Sequence, residues 1–263
     1  MTDSEDAIWD ELSGIPADPP VMRDKCGACK RPHSVCWCPF LPQTTITTRS
    51  RVVILQHPAE EKRCLRTVPM LELALSPGQC NVYKGKKFPS AKHTGLEELL
   101  RTPNTLVLYP SKESIPIENI PKVEEDSEPY NLVVIDGTWA QAKSMYHNSP
   151  LLHKCIQVKL PMKGESEYII RTQPNEGCLS TVEAVAEALG ILEGRHRLKH
   201  ELLQPLQALC RFQIWHGAVP HQSKKTLLDI GEYRKPVGKR TRKKLYSLVD
   251  IPSVQDCKGK EPS

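Results

Sequence analysis

Residues 132 to 139 read Leu-Val-Val-Ile-Asp-Gly-Thr-Trp, and this stretch decides the fold class. Its four apolar residues form a short run that no charge interrupts, which is typical of a strand buried on both faces of an α/β sheet. Asp136 follows the run directly, so it is expected at the carboxyl end of a central strand, where open α/β sheets bind ligands. Good helix formers begin at Trp139, which predicts a tight strand-to-helix turn between them.

Two residues of this turn also have ordinary structural interpretations. Asp136 is of a type that often caps the next helix, so it is either a cap or a functional carboxylate. Trp139 is either a buried anchor for that helix or a flat apolar surface for a ligand. The segment taken alone leaves these alternatives open.

The remaining chain alternates short apolar runs with helical patterns. Alternation of this kind predicts a mostly parallel α/β sheet with helices on both faces. A proline-rich loop is expected at 110–130, and Gly190 or Gly194 is expected to end the helix that begins at Ser180 with capping-box spacing to Glu183. Strands are predicted at 51–55, 80–83, 105–109, 132–135, 155–160 and 168–171, and helices at 60–75 (uncertain at Pro69), 96–100, from 139, from 180, and 198–216 (interrupted at Pro205).

Four cysteines lie within thirteen residues, as Cys26-x-x-Cys29 followed by Cys36-x-Cys38. Four thiolates at this spacing suit a tetrahedral Zn²⁺ ion, and a closed set of four ligands indicates a structural role. Two alternatives stay open: His33 replaces one cysteine, or the thiols cluster without a metal. The chain has ten cysteines and no secretion signal, which favours reduced thiols, and most of the other six are expected to be small core residues.

Charged residues are distributed unevenly along the chain, whose net charge is +5. Together with the motifs above, this distribution predicts a disordered, acidic and proline-rich N-terminus at 1–24, a cysteine module at 25–42, a main domain at 50–220 and a basic C-terminal tail at 221–263. The run at 238–244 contacts phosphates, directs nuclear import, or is simply solvated. No stretch reaches the roughly 20 apolar residues of a membrane span, so a cytoplasmic or nuclear protein without membrane contact is expected.

Several segments together resemble the DTW-domain family of tRNA-uridine aminocarboxypropyltransferases. Asp136-Gly-Thr-Trp139 matches the Asp-x-Thr-Trp hallmark of that family. The four cysteines, His57-Pro-x-Glu60 and the segment 177–184 match in the expected order, so the resemblance covers roughly residues 25 to 217. It looks closest to the eukaryotic branch that modifies the tRNA D-loop, and it implies a SPOUT-like topology with a C-terminal knot.

The resemblance implies transfer of a 3-amino-3-carboxypropyl group from S-adenosyl-L-methionine to N3 of a tRNA uridine. Uracil N3 must lose its proton to become a good nucleophile, and Asp136 is the candidate base. The donor is expected to contact Thr138, Trp139, Leu179, Ser180 and Thr181. Glu60 pairs with Arg63 or contacts substrate. The predicted partner is tRNA, with no obligate protein partner, and its phosphates are expected to contact Arg171, Lys239, Arg240, Arg242, Lys243 and Lys244.

Two other functions fit part of the same pattern. One is a SPOUT-type RNA methyltransferase, which would use the same donor and leave a methyl group on RNA. The other is a non-catalytic, zinc-containing RNA-binding protein, against which the intact 136–139 and 179–181 segments argue.

Overall fold

The computed structural model describes residues 23–124, 126–161, 166–174 and 177–233. The chain divides into two compact units, with the boundary between Cys36 and Trp37. Nearly all of the predicted disordered segment 1–24 and the whole basic run 238–244 lie outside the described residues. The four-part division of the chain stays a prediction.

The described part of the first unit is a tight turn that carries cysteines. Lys25 and Pro32 form an antiparallel bridge, and the Cys26 N–H donates to the Arg31 carbonyl at 2.8 Å. Lys30 turns the chain with a φ of 61°. A short 3-10 helix, His33–Val35, then leads to Cys36.

The second unit contains a parallel sheet whose strands are ordered β2-β1-β5-β3-β6-β4. Each of the five pairings is parallel, which confirms the predicted α/β class. Strand β4 forms inside the segment predicted to be loop. The strands are β1 (Arg51–Gln56), β2 (Cys80–Lys84), β3 (Thr105–Leu108), β4 (Ile115–Pro116), β5 (Asn131–Asp136) and β6 (Ile156–Lys159).

The strand predicted at 168–171 is wrong, because these residues form a turn. The Arg171 N–H donates to the Tyr168 carbonyl at 3.1 Å. Tyr168 is buried, and its hydroxyl donates to the Leu65 carbonyl at 2.8 Å. The Tyr168 side chain therefore packs in the core beside a turn, and residues 168–171 do not form the predicted β-strand.

Helices connect the strands and flank the sheet. The 3-10 helices of the second unit are Cys38–Phe40, Pro58–Lys62, Ile117–Asn119 and Pro150–Lys154. The α-helices among the described residues are α1 (Val68–Ala74), α2 (Leu96–Arg101), α3 (Trp139–His147), α4 (Thr181–Leu192), α5 (Arg197–Trp215) and α6 (Lys224–Asp229).

Two helix predictions at prolines are corrected. The predicted helix 60–75 is split, and α1 begins only at Val68, since Pro69 is best tolerated in a first turn, where no N–H bond is lost. The predicted interruption at Pro205 is absent, because α5 continues through it. Pro205 is buried among a row of buried leucines, and their packing offsets the missing hydrogen bond. Gly194, at a φ of 63°, follows the end of α4, as one of the two expected glycines.

The central strands are covered on both faces, so only their ends are accessible. All residues from Val52 to Gln56 of β1 are buried, which requires packing on both sides. One face packs on α2 and α3 through Val53, Val133 and Met145. Helix α4 contacts β5 and packs against α1 and α5. Within the part of the chain that the structure describes, no helix is both long and apolar enough to span a bilayer.

Candidate active site and metal centre

Asp136 is the last residue of β5, and two distant segments hold it in place. Its side chain is buried, with the residue only 9% exposed. The Gln56 Nε2 donates to Oδ2 at 2.9 Å, and the Thr181 hydroxyl donates to Oδ1 at 2.6 Å. The His57 backbone N–H donates to the Asp136 carbonyl oxygen at 2.8 Å. The ends of β1 and β5 and the start of α4 therefore meet at one carboxylate.

The interpretation of Asp136 as a helix cap is wrong, because Thr138 caps α3. The Thr138 hydroxyl accepts from the Gln141 N–H, and the Gln141 side chain accepts from the Thr138 N–H at 2.7 Å. A carboxylate offers about four lone-pair positions, of which Asp136 uses two. Asp136 is thus free of the capping role and keeps capacity to accept a further proton or hydrogen bond.

Trp139 opens α3 and is 42% exposed. This exposure contradicts its interpretation as a buried anchor. An indole this accessible, three residues after Asp136 in the chain, offers a flat apolar surface to a ligand. Its predicted contact with a ligand stays a prediction.

The start of α4 is fixed by a second capping box. Glu183 accepts from the Ser180 N–H at 2.7 Å and from the Ser180 hydroxyl at 2.6 Å. It also accepts from the Glu167 N–H at 2.6 Å. The cap predicted from the Ser180–Glu183 spacing is therefore confirmed, and it sets Thr181 against Asp136. Leu179 precedes the cap and is half-buried.

A cavity of about 300 Å³ lies beside the turn that follows Asp136. The chain packs closely at Gly137 in this turn. A Cβ there would lie 3.2 Å from the Gln141 Cβ and 3.4 Å from the His57 Cβ, which leaves little room for a side chain. Burial lowers the pKa of His57, and the charges of Lys86 and Arg63 lower it further. His57 is thus a neutral imidazole at pH 7. The lining residues are His57, Lys86, Ala140, Gln141, Ser144 and Met145.

Glu60 places a second carboxyl group near Asp136. The residue is only 7% exposed, and its Oε2 lies 3.1 Å from the Arg63 Nε. Burial raises the pKa of Glu60, and the charge of Asp136 raises it further, against the opposing charges of Arg63 and Arg171. The predicted ion pair with Arg63 therefore exists, and it does not account for both carboxylate oxygens.

Arg171, which was predicted to contact RNA phosphates, lies near the Glu60 carboxyl group. It is half-buried, it lies within electrostatic range of Glu60, and its guanidinium carbon is 6.0 Å from the centre of the Tyr168 ring. Its predicted contact with RNA stays a prediction.

The four predicted metal ligands lie together. The Sγ atoms of the four cysteines are all within 4.8 Å of one another, and those of Cys29 and Cys36 are 3.6 Å apart. A tetrahedral zinc ion with Zn–S bonds of about 2.3 Å requires sulfur atoms roughly 3.8 Å apart, so the cluster fits. Among the described residues, His33 is not part of it, and its Nε2 lies 3.5 Å from an Asp24 oxygen. The candidate ligands are Cys26, Cys29, Cys36 and Cys38.

Of the scattered cysteines, Cys210 is buried, as predicted for a small core residue, whereas Cys80 and Cys155 are partly buried. Burial raises the pKa of Cys80 to about 12, and it raises those of Cys155 and Cys210 to about 11. These thiols are protonated at neutral pH and are not nucleophiles. Cys64 differs, because it is exposed.

The comparisons with known proteins agree with this geometry. A family model described as the DTW domain matches residues 23–214. The chain belongs to the DTW-domain family. A Drosophila melanogaster protein named tRNA-uridine aminocarboxypropyltransferase 2 is 54% identical over 98% of this chain and 99% of its own length.

Two further relatives of this DTW-domain protein carry related names. A Mus musculus protein of the same name is 42% identical over 91% of this chain and 79% of its own length. An Arabidopsis thaliana protein named tRNA-uridine aminocarboxypropyltransferase A is 29% identical over 73% of this chain and 81% of its own length. No solved structure matches the chain.

In this DTW-domain protein, three of the four segments that suggested the family converge at one edge of the sheet. Glu60 follows β1, Asp136 ends β5, and Thr181 begins α4. Sequence reasoning missed Gln56, which lies beside Asp136 in the ladder and binds its carboxylate. A signal was present, since Gln56 is the polar end of the buried run Val52–Leu55, at the same edge of a parallel sheet.

Proposed function

We propose that the protein transfers the 3-amino-3-carboxypropyl group of S-adenosyl-L-methionine to N3 of a uridine in the tRNA D-loop, releasing 5′-methylthioadenosine. The names of relatives that align with almost the whole chain support this activity. The observation that carries it is the Asp136 carboxylate, oriented at the carboxyl ends of the strands by Gln56 and Thr181.

The proposed reaction is a displacement at the carbon attached to the sulfonium. The bond between that carbon and sulfur breaks, the sulfonium becomes a neutral thioether, and a bond forms between uracil N3 and the carbon. Asp136 accepts the N3 proton as attack proceeds. Its two fixed hydrogen bonds hold the carboxylate in one orientation, and alignment of the two substrates supplies a further part of the acceleration.

In this proposal the donor and the RNA phosphates contact different residues. Trp139 supplies the surface for adenine or uracil, with Thr138, Leu179, Ser180 and Thr181 around the donor. Arg171 contacts RNA phosphates, as do Lys239, Arg240, Arg242, Lys243 and Lys244, which lie outside the described residues. No obligate protein partner is required, and the protein acts in the cytoplasm, the nucleus or both.

The cysteine cluster has a structural role in this proposal and takes no part in the reaction. Cys26, Cys29, Cys36 and Cys38 would hold a structural zinc ion, because four protein ligands leave no position for a substrate. The knotted, SPOUT-like topology that the resemblance implies belongs to the same proposal.

Nucleoside mass spectrometry tests the activity. Purified protein, S-adenosyl-L-methionine and tRNA from cells lacking the protein should yield a uridine heavier by one aminocarboxypropyl group, together with 5′-methylthioadenosine. A methyl group on RNA would instead identify a methyltransferase. Binding of tRNA without binding of the donor would identify a non-catalytic RNA-binding protein.

A further inference from the structure

Glu60 has a buried carboxylate oxygen for which the ion pair with Arg63 gives no explanation. Its Oε2 pairs with the Arg63 guanidinium at 3.1 Å. Its Oε1 is buried and has no hydrogen-bond partner among the described residues. Buried carboxylate oxygens are normally satisfied, since leaving one without a partner is costly. The exception lies at the candidate active site, where such a group indicates a ligand.

The surroundings of Glu60 leave its free oxygen without solvent. Arg63 pairs with Oε2, and its own side chain is 40% exposed. Burial is the main cause that raises the pKa of Glu60, and the charge of Asp136 raises it further, against the opposing charges of Arg63 and Arg171. Burial therefore removes the water that would otherwise donate to Oε1, and a bound ligand with a hydrogen-bond donor can replace it.

We propose that Glu60 binds the α-ammonium group at the amino-acid end of the donor, through its Oε1. This inference rests on the proposed function and names the contact that holds the group to be transferred. An ammonium group supplies the missing hydrogen-bond donor, and the charges of Glu60 and of nearby Asp136 attract its positive charge. A charge-assisted bond of this kind is about twice as strong as a neutral one.

The position of Glu60 fits this assignment better than a second proton acceptor. The uracil N3–H is neutral before attack, so it would make a weaker hydrogen bond to Oε1 than an ammonium group makes. Asp136 already provides a carboxylate with open lone pairs at the end of β5. The ammonium group is part of the transferred chain, so Glu60 holds that chain in place while Asp136 accepts the N3 proton.

Calorimetric titration with two ligands tests the contact. S-adenosylhomocysteine carries the adenosine and the amino-acid end, whereas 5′-methylthioadenosine carries the adenosine alone. Glu60→Gln should weaken S-adenosylhomocysteine binding by about ten- to a hundredfold, the usual contribution of a hydrogen bond to a charged group. Binding of 5′-methylthioadenosine should change by less than about twofold, within the scatter expected of unrelated substitutions.

Glu61→Gln is the matched control, because it removes the same charge one residue away. Glu61 is exposed and pairs with Lys84 at 2.6 Å. This variant should bind both ligands like the wild type. It separates loss of the Glu60 contact from a general change in charge around β1.

Thermal melts separate the ligand contact from a structural one. The raised pKa of Glu60 means that its stabilising contribution is present below its ordinary pKa of 4.5 and is lost as the pH rises through the folded-state value. At pH 7 burial therefore opposes the charged Glu60 while the Arg63 pair supports it, and Glu60→Gln, whose amide oxygen can still accept from Arg63, should melt close to the wild type.

Each outcome of these measurements decides between assignments. Lower melting temperature with weaker binding of both ligands would make Glu60 a structural residue. Unchanged binding of both ligands with a steep loss of turnover would make it the base. Either result overturns the ammonium contact and leaves the proposed function intact. Absence of binding of either ligand by the wild type would overturn both.

Discussion

The cysteine cluster and the sheet edge around Asp136 are built in opposite ways. The four thiols come from thirteen consecutive residues, and their sulfur atoms converge on one another. Asp136 is instead held by Gln56, 80 positions earlier in the chain, and by Thr181, 45 positions later. Each thiol of the cluster has the other three within 4.8 Å, whereas the edge keeps an accessible indole and a carboxylate with open lone pairs.

This difference separates a structural site from a reactive one. A closed set of four ligands stabilises a fold and excludes a substrate. A carboxylate oriented by two distant elements, with unused lone pairs, can accept a proton from a bound molecule. Substitutions in the cluster should therefore change stability, and substitutions at the edge should change turnover.

The largest effect is expected from the cluster. Cys29→Ser combined with Cys38→Ser should reduce the zinc content from about one per chain to none, because too few thiolates remain to close the site. The lost metal-binding free energy is on the order of 10 kcal/mol, so the segment around the cluster should unfold. Elemental analysis and proteolysis of the purified variant measure the two effects.

The control for the cluster is Cys64→Ser with Cys178→Ser, two cysteines outside it. This variant should retain its zinc and its resistance to proteolysis. Freshly purified, unchelated wild-type protein that contains no zinc would contradict the metal assignment.

Asp136→Asn should reduce turnover by about 10²- to 10⁴-fold, the usual contribution of a general base. Asparagine can still accept from Gln56 and donate to Thr181, so donor binding and melting temperature should change little. The deficit should shrink as the pH approaches the value at which uracil N3 ionises unaided. Single-turnover rates across pH, measured beside thermal melts, test this.

Asp126→Asn, in an exposed loop, is the control for the lost charge and should leave turnover unchanged. An Asp136→Asn variant that folds normally and modifies tRNA at the wild-type rate would remove Asp136 from the mechanism. A variant that loses stability while keeping its activity per folded molecule would make Asp136 structural.

A smaller effect is expected when the orientation of Asp136 is disturbed. Thr181→Val keeps the shape of the side chain and removes the hydroxyl that donates to Oδ1 at 2.6 Å. Turnover should fall by about ten- to a hundredfold, the value of one hydrogen bond to a charged group. Thr181→Ser keeps the hydroxyl and should restore most of the rate. Equal rates for the valine and serine variants would show that this contact does not position the base.

The fold was predictable where the pattern was local and continuous. The unbroken apolar run that ends at Asp136 indicated a central parallel strand, and the Ser180–Glu183 spacing indicated a helix cap; both are confirmed. Errors arose where packing outweighed the local pattern. Tyr168 fills the core beside a turn, and α5 continues through a buried proline that ordinarily interrupts a helix.

The candidate site was only partly predictable for the same physical reason. The metal ligands could be predicted as a group from spacing alone. The four cysteines lie within thirteen consecutive residues, so no long-range tertiary contact is needed to bring them together. The hydrogen bonds from Gln56 and Thr181 to Asp136 depend on which strands pair and which helix crosses the edge, and no local spacing encodes them. The orphaned oxygen of Glu60 is likewise a property of the folded surroundings.

The basic tail is a third kind of region, and it should give the smallest effect per residue. Neutralising Lys239, Arg240, Arg242, Lys243 and Lys244 with glutamine should weaken tRNA binding if they contact phosphates. Each lost contact should reduce the slope of log affinity against log salt by roughly 0.7 to 0.9, because one fewer counterion is released. Lys122→Gln with Lys154→Gln, two exposed lysines elsewhere, should leave the slope unchanged. If the tail variant keeps the wild-type slope, the run serves localisation or solvation, and the RNA contacts must lie elsewhere in the protein. Turnover at saturating tRNA should stay normal in either case, because the tail variant leaves Asp136, Gln56 and Thr181 unsubstituted.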